Sequence, residues 1–315
     1  MASTNRSSCA NCREPAILQC TGCKDAPEYE TGDVKAVFYC TATCQKIHRP
    51  RHKTYCKTLA TRKKLARVAA VCKAAVLTYR AIEFDVELSG IELKGNTMFL
   101  YDNQRNLSIP PKRGPFPEHV TSSPEHRDAA LSWFFCFASH ALLSTLLPKL
   151  LEDIPCKVER IVFQLKKSLI VTQVVPGPDS PPVPSLGLSQ GDHGALKVSL
   201  LSSTTQEAWV LNVTSAQYGF HNPLEPYTRY IADRRCIDLS TSTYNFTVTS
   251  DLDAIMSGAF TNTAQMSMCS AEIPARRRFA AFVNGTDKSI LEGPAASSEE
   301  RLKQFKLALN LSMCI

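Results

Sequence analysis

The chain has 315 residues, 36 Lys or Arg against 29 Asp or Glu for a formal net charge of +7, and 13 cysteines. That length exceeds what a small metal-stapled module needs and leaves room for one further domain. With only 13 glycines and neither a phosphate loop nor a Gly-x-Gly-x-x-Gly turn, the sequence shows no seat for nucleotide chemistry.

Residues 1–8 are hydrophilic and read as a disordered lead-in. They lack the charged start, apolar core and cleavage site of a secretory signal. The cysteines are therefore expected in a reducing, intracellular compartment, nucleus or cytoplasm, as metal ligands or free thiols rather than as secreted disulfides. From residue 9 the spacing becomes specific: Cys9-x2-Cys12, Cys20-x2-Cys23, Cys40-x3-Cys44 and His52-x3-Cys56. Two- and three-residue gaps let both members of a pair reach one ion, and eight ligands close two tetrahedral zinc sites. Spacing alone does not say which pairs share an ion. Nor does it choose the histidine, because Cys44, His48, His52 and Cys56 recur every four residues. Pro50 inside a helix costs about 3 kcal/mol or more, so two short helices are expected here.

The run Tyr39-Cys40-Thr41-Ala42-Thr43-Cys44-Gln45, followed by His52-Lys53-Thr54-Tyr55-Cys56, resembles the second half of a MYND zinc finger. The resemblance implies an interleaved cross-brace: Cys9, Cys12, Cys40 and Cys44 on one zinc ion, Cys20, Cys23, His52 and Cys56 on the other, with His48 a surface residue. It also implies a protein-protein interaction module, in which a short proline-containing peptide lies in a shallow groove beside the last two helices. A role as a transcriptional or signalling adaptor would follow. His48-Arg49 stand where the family usually has Asp-Trp, while Gln45 is in place. A cation where an aromatic wall is usual favours a partner of acidic character docking around Gln45 and Arg49. Structural zinc sites have all four positions filled by protein, so the finger is a staple and not a catalytic centre. Metal removal is expected to unfold residues 9–56 and leave the rest largely intact.

The positive charge concentrates here. Residues 46–67 hold nine Lys or Arg and no acid. The run could be a solvated helix face, an acidic-partner surface or an import signal at Arg62-Lys63-Lys64. Nucleic acid is the weaker expectation, since no recognition helix is recognisable.

Residues 57–85 carry Leu59, Leu65, Val68, Cys72, Val76, Tyr79 and Ile82 at three- and four-residue steps, a connecting amphipathic helix. Ile91–Tyr101 reads as a hairpin about Gly95-Asn96, and the prolines of 103–124 as an irregular loop. The uncharged stretch 129–147 is about as long as the shortest bilayer spans, but its His and serines make it a buried helix ending near Pro148, with no membrane role. Strand-like runs follow at 158–165, 169–175, 195–201 and 208–213, with a proline-rich surface loop at 176–194. A terminal helix opens on a Ser297-x-x-Glu300 capping box. Residues 86–315 are thus expected to form an α+β domain, helices on a mostly antiparallel sheet. The cysteines outside the finger lack pair spacing and read as buried free thiols.

The passage Trp209-Val210-Leu211-Asn212-Val213-Thr214-Ser215-Ala216-Gln217-Tyr218-Gly219-Phe220 resembles the W-x-L-D-x-T-x-x-Q-[FY]-G segment of a group of fungal MYND-finger proteins without a defined activity. It is more faintly similar to the strand after the catalytic histidine in papain-like and transglutaminase-like folds. That similarity implies an alternative, a thiol enzyme with Cys136 as nucleophile, His193 as base and Asn212 orienting the imidazole. Methyl transfer by a SET domain is not expected, because the Asn-His-Ser-Cys segment is missing.

Overall fold

The computed structural model describes residues 7–103, 113–176, 192–201, 206–244 and 263–314. The expectations for residues 1–6 and for 177–191 of the proline-rich loop lie outside these. Ser7 and Ser8 are ordered against the finger: Ala16 donates its N–H to the Ser7 carbonyl at 2.8 Å and Ser8 bridges Pro15.

Two short strands, β1 (Leu18–Gln19) and β2 (Phe38–Tyr39), pair antiparallel and lead into α1 (Ala42–Ile82). Thr41 caps α1, its hydroxyl accepting from the Cys44 N–H at 3.2 Å. The helix is 41 residues long, about 60 Å at 1.5 Å per residue. It passes straight through Pro50 and through the boundary expected at residue 57, so the two short helices and the separate connecting helix are a single element. The proline removes one hydrogen bond, to the Lys46 carbonyl. Both residues are exposed, so water can take that carbonyl. Cluster residues at Cys44 on one side and at His52 and Cys56 on the other hold the axis.

The C-terminal half of α1 is the spine of the main core. Leu65, Val68, Cys72, Val76 and Tyr79 pack with helix α3 (Cys136–Leu151) and one face of a five-stranded sheet. That sheet is antiparallel, in the order β10 (Ile237–Thr243), β5 (Cys156–Gln164), β7 (Asp192–Leu201), β8 (Gln206–Leu211), β9 (Leu224–Pro226). Its alternation sends Val158, Leu196, Val198, Trp209 and Leu211 into this core, and Ile161, Phe163, Ala195 and Val210 to the other face under α4 (Tyr227–Arg234). Trp209 is wholly buried, a burial worth on the order of 5 kcal/mol at most. Helices α5 (Thr263–Gly285) and α6 (Ala295–Met313) close the core through Phe279, Val283, Phe305 and Leu309. A second sheet, β3 (Leu88–Lys94), β4 (Thr97–Asp102) and β6 (Val171–Pro176), joins the expected hairpin to a parallel partner and covers α2 (Pro124–Ser132). The α+β class holds.

Three local expectations change. The stretch 129–147 is not one helix: α2 and α3 meet at a 90° bend. Phe134 sits there at φ 54° with its side chain exposed. Groups distant in sequence stabilise the break. Arg80, 1% exposed, donates to the Leu131 carbonyl at 3.2 Å, and the Gln217 amide oxygen accepts the Phe134 N–H at 3.3 Å. No single described helix is long and apolar enough to cross a membrane. Secondly, α6 begins at Ala295 after Pro294, so Ser297 lies inside the first turn and caps nothing. Thirdly, Cys72 and Cys136 are buried, but Cys156 and Cys236 are half-buried and Cys314 is exposed.

The finger is locked onto the sheet domain by a buried ion pair. Arg62, 6% exposed, donates from Nε and Nη2 to the two carboxylate oxygens of Glu207 at 2.9 and 2.8 Å. Its Nη2 also pairs with Asp33 at 2.8 Å. Beside it the rings of Tyr29 and Trp209 lie 5.3 Å apart, and the Ala208 N–H donates to the Tyr29 hydroxyl at 3.3 Å. Arg62→Met, which leaves the Glu207 carboxylate buried without its guanidinium, should cost about 3 to 5 kcal/mol in denaturant unfolding, and Arg62→Met with Glu207→Leu much less. Equal losses in the two variants would show that the pair does not act as a unit.

Candidate functional site

Two clusters of cysteine and histidine assemble at the end of α1. In the first, the sulfurs of Cys12 and Cys40 are 3.4 Å apart, Cys40 and Cys44 3.5 Å, and Cys44 and Cys12 3.7 Å, with Cys9 in the same group. In the second, Cys20 lies 3.6 Å from Cys56 and 3.7 Å from Cys23, while His52 Nε2 is 3.1 Å from the Cys23 sulfur and 3.4 Å from that of Cys20. A tetrahedral ion with Zn–S bonds of about 2.3 Å has S···S edges of about 3.8 Å, so both groups have the size of a zinc site. They are far too wide for disulfides, which join sulfurs at about 2.05 Å. Two zinc ions fit, one per cluster, each closed by four protein ligands.

Local structure explains the convergence. The first two pairs sit in tight turns, where Arg13 donates its N–H to the Cys9 carbonyl at 2.9 Å and Lys24 to that of Cys20 at 3.0 Å; Arg13 and Asp25 take up left-handed φ values of 69° and 62°. The other ligands come from the end of β2 and from α1, where Cys44, His52 and Cys56 share a face at helical spacing. His48 ligates nothing: its Nδ1 meets the Tyr39 hydroxyl at 3.1 Å and its ring stacks on His52 at 5.8 Å. It is half-buried rather than a free surface residue.

Two residues that ligand spacing could not reveal support the clusters. Asn11 donates to the Cys44 sulfur at 3.5 Å, a contact that orients a thiolate from outside the ligand set. A Cβ on Gly22 would lie 2.5 Å from the Cys56 sulfur, so only glycine lets this turn approach α1 so closely.

A groove of about 480 Å³ runs beside the second cluster. It is lined by Cys20, Thr21, Gly22 and Tyr39 and by a stripe of α1 with Ala42, Gln45, Lys46, Arg49, His52, Lys53, Cys56, Lys57 and Ala60, so three ligands of the cluster, Cys20, His52 and Cys56, form part of its wall. Gln45 and Arg49, the expected docking residues, both line it. Lys46, Lys53 and Lys57 join them, as their helical periodicity with Arg49 could have indicated.

Residues 9–56 match the family model of the MYND finger. This segment is a MYND finger. The match covers the finger alone, and comparison with curated proteins and with solved structures finds no match. The interleaved arrangement implied by the resemblance is the one the clusters adopt.

The Cys136, His193 and Asn212 trio comes together only in part. Asn212 Oδ1 accepts from the Thr214 N–H at 3.1 Å, which turns its amide nitrogen toward Tyr230 Oη at 2.7 Å and His193 Nε2 at 2.8 Å. The other ring nitrogen of His193 has no hydrogen-bond partner among the described residues, so neither nitrogen meets the Cys136 sulfur. Burial drives His193 down to about 3 and raises the Cys136 thiol. Cys136 opens α3 rather than lying inside one continuous helix over 129–147. The Trp209–Phe220 passage instead builds a corner: Tyr218 accepts the N–H groups of Leu169 and Ile170 at 3.0 and 3.2 Å, and Gly219 takes φ 83°.

Metal analysis of the full chain should count two zinc ions, with Cys20→Ser losing one and Gly22→Ala weakening the same site; a count of one or none for the unaltered chain would overturn the two-site assignment. A thiol-alkylating probe at neutral pH should modify Cys136 more slowly than exposed Cys314. Faster reaction at Cys136 would reopen the enzyme alternative.

Proposed function

We propose that the chain is a zinc-dependent protein-docking module, acting inside the cell as an adaptor, in nucleus or cytoplasm. The peptide segment of a partner lies in the groove between the 20–23 turn and the first half of α1. The observation that carries this reading is an open groove next to a closed metal site. The zinc positions are filled, leaving no place for substrate, whereas Gln45, Lys46, Arg49, Lys53 and Lys57 line a groove with their side chains exposed or half-exposed.

The sheet domain serves this function as a foundation. The Arg62–Glu207 pair and the Tyr29–Trp209 contact hold the finger in one orientation, so a partner meets a preorganised surface and binding loses less conformational entropy. The similarity of Trp209–Phe220 to fungal MYND-finger proteins fits a shared foundation of this kind.

Selection of peptides from a random display library on the zinc-loaded full chain tests this. Enriched peptides should bind the unaltered protein and fail on Ala60→Trp, which fills the groove, provided the variant still holds two zinc ions. Peptides that bind both proteins equally, or no enrichment at all, would overturn the assignment of the groove.

A further inference from the structure

The basic run of residues 46–67 divides into two halves that do different things. In the second half every cation is engaged within the chain. Arg62 is buried against Glu207 and Asp33. Lys63 donates to the carbonyls of Thr21 and Lys24 at 2.6 and 3.2 Å, and Lys64 pairs with Asp153 at 3.2 Å. Arg67 donates to the carbonyls of Leu291 and Gly293 at 2.7 and 2.6 Å. An accessible import signal at Arg62-Lys63-Lys64 therefore loses its first residue to the interior.

In the first half, Arg51 is exposed away from the groove and the other four cations face it. Lys46, Arg49, Lys53 and Lys57 are all exposed, all line the groove, and make no ion pair among the described residues. Spaced three and four residues apart on one helix face, they repel one another, each like-charged neighbour opposing the helix by a small amount. The second cluster offsets this only in part, because three thiolates and a histidine around one zinc ion carry a single net negative charge. The groove is thus a cationic stripe whose compensating anions are not supplied by the described residues.

We infer that the occupant of the groove is an extended acidic peptide, with carboxylates on alternate residues matched to Arg49, Lys53 and Lys57 and with Lys46 adding positive charge at one end. This rests on the docking function proposed above and specifies its partner. The register follows from geometry: four residues along a helix rise about 6 Å, and alternate side chains of an extended chain are about 6.6 Å apart. A carboxylate at every second position therefore keeps step with Arg49, Lys53 and Lys57. Nucleic acid fits less well. The two rings among the lining residues, Tyr39 and His52, are both buried, so neither is presented for a base to stack on.

The test uses the full, zinc-loaded chain and a fluorescein-labelled peptide containing Glu-Ser-Glu-Ser-Glu, with its Gln-Ser-Gln-Ser-Gln counterpart as control. The acidic peptide should bind, weaken several-fold between about 50 and about 200 mM salt, and lose at least about tenfold in affinity on Arg49→Glu with Lys53→Glu, where attraction becomes repulsion. Lys167→Glu with Lys303→Glu makes the same change in net charge away from the groove and should leave binding unaltered. An equal loss in that control would overturn the inference, as would equal binding of the Gln peptide or tighter binding of a single-stranded oligothymidylate. Groove-dependent binding of neutral library peptides, with no binding of the acidic one, would sink this inference and leave the docking function standing. Acidic binding unaffected by Ala60→Trp would remove the groove itself.

Discussion

A single helix carries the architecture. α1 contributes ligands to both metal clusters in its first four turns and then supplies the central stripe of the main core, with Arg62 buried where the two roles meet. A long helix is stiff. Its two ends therefore cannot be treated as separate modules, and Pro50 is tolerated because the clusters grip the helix on both sides of it. This continuity alters what zinc does for the molecule. In an isolated finger, metal binding is the folding free energy of the finger; here the same ligands also define the helix against which α3, α6 and the five-stranded sheet pack. Metal removal should then be felt beyond residue 56, through Arg62 and Tyr29, rather than stop at the finger's edge.

Charge is sorted by the same helix. Cations facing the sheet domain are paired or donate to carbonyls, and those facing away remain in water beside the second cluster. The difference is physical, not compositional: a buried guanidinium without a partner would cost several kcal/mol, so Arg62 comes with Asp33 and Glu207, whereas solvated lysines carry no such requirement. Cations without an ion pair among the described residues line one face of this groove, and electrostatic attraction at such a face gives specificity and speed of encounter more than raw affinity.

The buried polar corner around Asn212 is a hydrogen-bond network between residues distant in sequence. Asn212 spends its oxygen on Thr214 and its amide nitrogen on His193 and Tyr230, which satisfies groups that would otherwise be orphaned in the interior. Thr172 donates to the Gln217 carbonyl at 2.7 Å and ties β6 to the same corner. A nucleophile needs a base within reach and a site open to substrate; His193 is wholly buried and held neutral. The same corner reaches the α2–α3 bend through Gln217, whose amide oxygen accepts the Phe134 N–H.

The amino-acid sequence alone determined the metal chemistry, because ligand identity and short gaps are local properties. Four Cys and His pairs state two sites without any knowledge of the fold, while their interleaving is what the resemblance of Tyr39–Cys56 to a MYND finger implies. Alternation likewise placed β5, β6, β7 and β8 near their true positions, since a half-buried strand must repeat every second residue. Tertiary structure decided whatever depended on distant partners. The α2–α3 bend exists because Arg80 and Gln217 take up the backbone groups that it frees, and neither is near it in sequence. The short β9, the edge strand β10 with its polar serines and threonines, and the division of the basic run have the same origin. A lysine carries the same charge in any sequence window, and only packing determines whether it meets a carboxylate, a carbonyl or water.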